Sequence, residues 1–384
     1  MFSRREREAP TVRCEICSSE NATGTARCAT CGRTLAAHHG PNVLPGGTLL
    51  HHGTYAIMTC LAQGGFGITY LARDQKLRRS VCIKEFFPLG CVRDGSLVRV
   101  GGGWTPATYD DARSRFFQEG EALARFDHPG IVRVHGAFEE NGTAYLAMEF
   151  LQGKSLEDIL VARGGRLPAA EARICAERIA GALEVVHGAG MLHRDIKPAN
   201  VMVVGSDSFL ANPRVVLVDF GTAREFVAGV SQSHSVVLTA GYAPLEQYAQ
   251  RASRGPFTDV YALCALLYRA LTGAPPPDAH DRMYGGSLPP VDQVSPEGDA
   301  ALARAVMRGL EMEAEDRPQG VRELLAEMGI AVPPAPAMPA PDPDAIPSAG
   351  PVPTMMPAPA LPVGAAPFAG SAPTVRAEPG SVAP

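Results

Sequence analysis

Between residues 55 and 149 the apolar positions come in short runs separated by turn residues. Tyr55-Ala56-Ile57, Cys60-Leu61, Ile68-Thr69-Tyr70-Leu71-Ala72, Val81-Cys82-Ile83, Ile131-Val132-Arg133-Val134 and Ala144-Tyr145-Leu146-Ala147-Met148 each read as a strand. The last two flank the turn Glu140-Asn141-Gly142. Residues 110–126 break this rhythm, with Phe116, Phe117, Leu123 and Phe126 recurring at helical spacing. Residues 85–108, which hold Gly101-Gly102-Gly103 and the only tryptophan, Trp104, read as a long loop or a small hairpin at Leu97-Val98-Arg99-Val100. After residue 150 the period changes. Ser155-Leu156-Glu157-Asp158 opens a helix, since a serine cap and an acidic first turn suit the helix dipole. Residues 169–187 form a long amphipathic helix ending at Gly188, and the helix opened by Thr258-Asp259-Val260 is apolar on nearly all sides, hence buried. Between these helices, Val201-Met202-Val203-Val204 and Val215-Val216-Leu217-Val218 flank a polar turn and read as a hairpin. The class is α+β, strand-rich first and helical second.

The flanks differ from this body. Residues 41–53 are rich in Gly and Pro and read as a linker. Sixteen of the 34 prolines lie beyond residue 330, among alanines and almost without charge. Residues 331–384 therefore cannot bury a core, and a disordered or polyproline-like tail is expected. The 384 residues leave room for two or three domains. A net charge of −5 implies no broad polyanion-binding surface, so no nucleic-acid partner is expected. No run of 18 apolar residues occurs, so no membrane span is expected. Met1-Phe2-Ser3-Arg4-Arg5 lacks the apolar core of a secretory signal. Five scattered cysteines (Cys60, Cys82, Cys91, Cys175, Cys264) suit a reducing compartment, and a cytoplasmic location is expected.

The chemistry concentrates at residues 191–221. The hairpin just described has His193-Arg194-Asp195-Ile196-Lys197-Pro198-Ala199-Asn200 at one end of its first strand and Asp219-Phe220-Gly221 after its second. Asp195, Asn200 and Asp219 thus offer oxygen donors close together, the ligand set of Mg²⁺ with substrate phosphates. Lys197 sits beside Asp195, where a cation neutralises a phosphoryl group in transfer. Ala62-Gln63-Gly64-Gly65-Phe66-Gly67 is a glycine-rich turn between strands, of the kind that lets backbone amides approach phosphate oxygens; an ordinary hairpin is the other reading. Lys84 ends the apolar run Val81-Cys82-Ile83, an unusual place for a lysine.

H-R-D-I-K-P-A-N followed by D-F-G resembles the catalytic and metal-binding loops of eukaryotic-type protein kinases. The resemblance covers residues 54–330. It implies a bilobal kinase fold, with a β-rich N-lobe at 54–149 and a helical C-lobe at 150–330. It implies that Asp195 accepts a substrate hydroxyl proton, that Asn200 and Asp219 hold Mg²⁺ on ATP, and that Lys84 grips the nucleotide phosphates with Glu119 as its partner. A solvated helical charge is the other reading of Glu119. It further implies nucleotide contacts at Ala62, Gly64, Gly65, Phe66, Gly67 and Thr69. Met148 would bound the adenine pocket, and the backbones of Glu149 and Leu151 would hydrogen-bond the base. The sequence departs from the family pattern at Ala62, in the place of the first glycine, and at Thr69, in the place of a valine.

Lys197 and Thr239 resemble the serine/threonine-specific class, so protein substrates with Ser or Thr are implied. Asp259 resembles the residue that holds the H-R-D backbone, and Arg317 the partner of Glu246 in Ala243-Pro244-Leu245-Glu246. Arg194 suggests a switch in which Ser231, Ser233 or Ser235 is phosphorylated. Autophosphorylation within a homodimer and a role in bacterial signalling are expected. A pseudokinase scaffold is the alternative; it predicts loss of Lys84, Asp195 or Asp219, and none is lost.

Cys14-x-x-Cys17 and Cys28-x-x-Cys31, within residues 11–40, provide two thiolate pairs separated by ten residues. Two such turns supply a closed tetrahedral site, and the stretch resembles a small zinc ribbon with structural Zn²⁺. A dithiol redox pair, rubredoxin-like iron and disulfides are the alternatives. A docking module or spacer is the expected role. A ribbon that binds nucleic acid is a further reading, for which Arg13, Arg27 and Arg33 offer the only positive charge.

Overall fold

The structure, a computed structural model, describes residues 11–13, 19–22, 40, 42–221, 239–249, 252–294 and 299–331. The four ribbon cysteines (Cys14, Cys17, Cys28, Cys31), the candidate phosphosites Ser231, Ser233 and Ser235, and the tail from residue 332 lie outside these. Strands β1 (Thr11–Arg13) and β2 (Glu20–Ala22) pair antiparallel. Then come β3 (Leu49–Leu50), β4 (Tyr55–Gln63), β5 (Gly67–Asp74) and β6 (Arg79–Phe86), the small hairpin β7 (Val92–Asp94) and β8 (Leu97–Arg99), and helix α1 (Pro106–Leu123). Strands β9 (Val134–Glu140) and β10 (Thr143–Glu149) complete a six-stranded antiparallel sheet in the order β3-β4-β5-β6-β10-β9. This sheet and α1 make the upper lobe.

The lower lobe begins with β11 (Gly153–Ser155), α2 (Leu156–Ala162) and α3 (Ala169–Gly188). Ser155 caps α2 by accepting from Asp158 N–H, with the Asp158 carboxylate reaching back. Strands β12 (Val201–Val204) and β13 (Arg214–Leu217) form a three-stranded sheet with β11. Helices α4 (Leu245–Tyr248), α5 (Pro256–Thr272), α6 (Ala279–Met283), α7 (Val291–Val294), α8 (Ala300–Gly309) and α9 (Val321–Glu327) follow. Every residue of α5 from Thr258 to Thr272 is buried, as its all-round apolar pattern requires. Gly309 lets α8 cross α5 closely, for a Cβ there would overlap Cys264 Sγ. Among the described residues no helix is long and apolar enough to cross a membrane.

Two details differ from the sequence expectation. The strand expected at 131–134 starts at Val134 instead. Ile131 and Val132 bond the lower lobe, with Val132 N–H on Leu217 O (3.1 Å) and Leu217 N–H on Gly130 O (2.8 Å). Residues 42–50, whose Gly and Pro content marks a linker, are packed against the sheet: Leu44 and Leu50 are buried and β3 pairs with β4. Two leucines at spacing to enter a core outweigh the local glycines. Both faces of the upper sheet are covered. One carries α1, where Phe86 meets Tyr109 and Phe116. Gly120 brings α1 down onto β10, because a Cβ there would overlap Leu146 Cδ2. The opposite face, including Tyr70, Ile83, Glu85 and Tyr145, is equally buried, beneath Leu44 and Arg93.

Candidate active site

The register of the lower hairpin brings the polar residues together. Val201 pairs with Leu217, so the residues just before β12 and just after β13 emerge at one end of it. His193 locks those two stretches. Its main-chain carbonyl accepts from Gly221 N–H (2.9 Å), its Nε2 is 3.2 Å from Val218 O, and its Nδ1 accepts from Asp195 N–H (3.3 Å). One ring nitrogen donates and the other accepts, which specifies the neutral imidazole. Burial lowers the His193 pKa, against the pull of Asp259 and the nearby carboxylates, in agreement with that tautomer.

Asp259, at the N-terminal end of α5, is fully buried and accepts from His193 N–H and Arg194 N–H (2.8 Å each). Its Oδ2 also meets His187 Nε2 at 2.9 Å. Burial opposes its ionisation, but His187, His193 and the Arg194 N–H outweigh it and hold the carboxyl below its ordinary value. The loop so held carries Arg194 at φ 65° and leads to Asp219 at φ 59°, both left-handed for non-glycine residues. Such conformations cost on the order of 1–3 kcal/mol each and persist only when the surroundings impose them.

Asp195 is buried and presents its carboxylate to three groups. Asn200 Nδ2 donates to its Oδ2 (2.6 Å) and its main-chain O (2.8 Å). Lys197 Nζ lies 3.1 Å from Oδ2 and donates to Thr239 Oγ1 at 3.0 Å. Thr239 Oγ1 in turn lies 3.5 Å from Asp195 Oδ1. With its NH₂ committed to Asp195, Asn200 has its Oδ1 as the remaining acceptor.

From the upper lobe, Lys84 Nζ comes within 3.2 Å of Asp219 Oδ1. Thr69, Lys84 and Leu146 are cross-strand neighbours and face the same side of the sheet. Glu119 is buried on α1, next to the Gly120 that rests on Leu146. The glycine-rich turn closes by Gly64 N–H on Gly67 O (2.9 Å). Gly67 must be glycine, since a Cβ there would overlap Glu85 O. A single cleft is lined by Ala62, Gly64, Gly65, Phe66, Gly67, Thr69 and Lys84 from above and by Asp195, Lys197, Asn200 and Asp219 from below.

Met148, Glu149 and Leu151 lie at the crossing between lobes and are not among the residues that line this cleft. The Glu149 N–H is taken by Arg133 O (2.9 Å), and its carboxylate is held by Arg214 in two hydrogen bonds (2.9 and 2.7 Å). Burial raises the Glu149 pKa, but Arg214 and the Arg133 N–H pull it below the ordinary value. Phe116, Phe220 and Gln63 also line the cleft, although none was singled out as a site residue from the sequence. His193 was named only as part of the H-R-D motif, with no role of its own.

The family model for the protein kinase domain matches residues 55–287. The chain belongs to the protein kinase family. Serine/threonine-protein kinase PknJ of Mycobacterium tuberculosis is 36% identical over 223 residues, covering 58% of this chain and 34% of that kinase. Serine/threonine-protein kinase pkn2 of Myxococcus xanthus is 31% identical over 296 residues, 74% of this chain and 33% of that kinase. The chain thus spans about a third of the length of these curated relatives. The solved structure described as the PpkA-294 apo form has a TM-score of 0.66 at 34% identity, covering 75% of this chain and 99% of that one. The Mycobacterium tuberculosis PknI kinase domain gives 0.54 at 26% identity, covering 75% and 99%. The two-lobed arrangement, strand-rich above and helical below, is that of a protein kinase.

Proposed function

We propose that the chain is an ATP-dependent serine/threonine protein kinase. One observation carries this reading: Lys84 and the glycine-rich turn from one lobe, and Asp195, Asn200 and Asp219 from the other, line a single cleft. The donor set fits ATP with Mg²⁺. Asp219 and the Asn200 Oδ1 are hard oxygen ligands, and Gly67 admits backbone where any side chain would collide. A divalent cation bound there supplies positive charge to the phosphate oxygens. Lys84 then holds phosphate charge from above, with Glu119 as the partner that orients it. Asp195 orients the substrate hydroxyl and takes its proton, while Lys197, bridging Asp195 and Thr239, offsets charge on the transferred group. Met148, Glu149 and Leu151 border the base. A non-transferring scaffold would be expected to lack Lys84, Asp195 or Asp219, and all three are present.

Residues 54–330 make the kinase domain in this reading, acting in bacterial signalling, with autophosphorylation between two copies in the segment that holds Ser231, Ser233 and Ser235. Cys14, Cys17, Cys28 and Cys31 are proposed to hold structural Zn²⁺; the connection between the paired strands β1 and β2 contains the first two. The decisive experiment is transfer of the ATP γ-phosphoryl group to the chain itself and to a generic protein. Asp195→Asn is expected to lower the rate by about 10²–10⁴-fold, the usual contribution of a positioned proton acceptor. Transfer that survives Asp195→Asn unchanged would overturn the assignment.

A further inference from the structure

The side of the upper sheet turned away from the cleft carries a buried charge that the chemistry above does not use. Glu85 follows Lys84 directly, so strand alternation sends its side chain to the opposite face, where it is fully buried. Its carboxylate accepts from Tyr70 Oη (2.8 Å), Tyr145 Oη (2.7 Å) and Arg93 Nη2 (2.5 Å). A buried carboxylate is tolerated only when its charge and lone pairs are met in this way. Arg93, on β7, is equally enclosed. Its Nε donates to Asn42 O (2.7 Å), its Nη1 to Ser96 O (2.9 Å) and its main-chain N–H to Asn42 Oδ1 (3.0 Å). One residue therefore ties together the sheet, the 87–104 segment and the N-terminal stretch at Asn42.

The same segment reaches the glycine-rich turn. Leu89 N–H donates to Gly65 O (2.9 Å) and Phe87 N–H to Phe66 O (3.3 Å). Trp104 Nε1 secures Leu89 through its carbonyl (3.0 Å). Within one trans peptide the C=O and N–H point in opposite directions. With the Gly65 and Phe66 carbonyls turned to the segment, the N–H groups of Phe66 and Gly67 are turned away from it, and both residues line the cleft. Successive backbone N–H groups presented in this way are donors for phosphate oxygens.

We propose that Arg93 is a positioning residue for the nucleotide: it anchors the segment that aims the Phe66 and Gly67 N–H groups, and it makes that aim depend on the N-terminal stretch at Asn42. This inference rests on the nucleotide-binding reading of the cleft. The test titrates the full chain with N-methylanthraniloyl-ATP and Mg²⁺, measures kcat and KM for ATP, and checks folding by thermal melting. Arg93→Ala is expected to raise the Kd and the KM for ATP by about tenfold while kcat stays within about twofold, the signature of lost binding rather than lost chemistry. Arg93→Lys recovers part of the loss, and Asn42→Ala shifts the Kd in the same direction by less. Leu89→Pro removes one N–H and leaves the buried pair intact, so it decides the matter if Arg93→Ala does not fold; Leu89→Ala, which keeps the N–H, is the comparison and shifts the Kd far less. Folded Arg93→Ala or Leu89→Pro with wild-type nucleotide affinity overturns the proposal, as does a fall in kcat with KM unchanged. Failure of the wild-type chain to bind the probe overturns the kinase reading beneath it instead.

Discussion

Each lobe buries an arginine–carboxylate pair, and the two pairs are set in different kinds of surroundings. In the lower lobe Arg317 meets Glu246 through two hydrogen bonds (2.7 and 3.3 Å), with Thr258 Oγ1 on the same carboxylate and the Tyr261 ring 4.9 Å from the guanidinium. It joins α4, α5 and the turn before α9, all helical. In the upper lobe Arg93 meets Glu85 behind a sheet, with two tyrosine hydroxyls completing the carboxylate. The lower pair braces α4 against α5, which is buried from Thr258 to Thr272 and whose Asp259 holds the main chain just before Asp195. The upper pair sits on the reverse of the strand that carries Lys84. Rigidity below thus comes from helix packing around a charge, and above from a strand used on both of its faces.

The comparison is broken most severely by Arg317→Met, which leaves Glu246 buried without its partner. A loss of about 3–5 kcal/mol is expected in denaturant unfolding, because an uncompensated buried charge remains. A loss below about 1 kcal/mol would show that the pair is not bracing the helices. The next effect is Asp259→Asn. Its carboxylate serves two main-chain N–H donors and His187, whereas an amide offers one oxygen and brings N–H groups of its own. About 1–3 kcal/mol should be lost, together with phosphoryl transfer, as the Asp195 loop loosens. Unchanged transfer with reduced stability would separate the scaffold from the chemistry.

The smallest effect sharpens the contrast through pH. Burial depresses His193 below its ordinary value of 6.5, and it depresses His128 and His135 as well. The unfolded chain therefore takes up protons first on acidification. The stability tied to neutral His193 is complete above about pH 6.5 and is lost as pH falls through the depressed value. Melting temperature should decline on going from pH 8 to pH 5.5, with a shallower slope in His193→Phe; a rise on acidification would contradict the sign.

What was legible in the sequence follows from how far each contact reaches. The candidate site residues stand in two motifs that one hairpin brings together, so the proximity of Asp195, Asn200 and Asp219 could be read from local pattern alone. Asp259, Glu246 and Arg317 are distant in sequence but stand in motifs, and their contacts were legible by resemblance. Glu85 was not. A glutamate one residue past Lys84 in an alternating strand reads as solvated, and nothing local announces Arg93, Tyr70 and Tyr145 as its partners. Leu44 and Leu50 were hidden for a related reason: prolines and glycines dominate their surroundings, while the surface they cover exists only once β4, β5 and β6 have paired.

Gly120 gives the upper lobe a vulnerable dimension. α1 passes Leu146 with no room for a methyl group at position 120, so that position behaves as a shim of zero thickness. A carbon added there meets the Leu146 side chain, so either that leucine repacks or the helix, and Glu119 with it, shifts from the strand beside Lys84. Drift or design could thereby detune the cleft without altering a single atom that faces it.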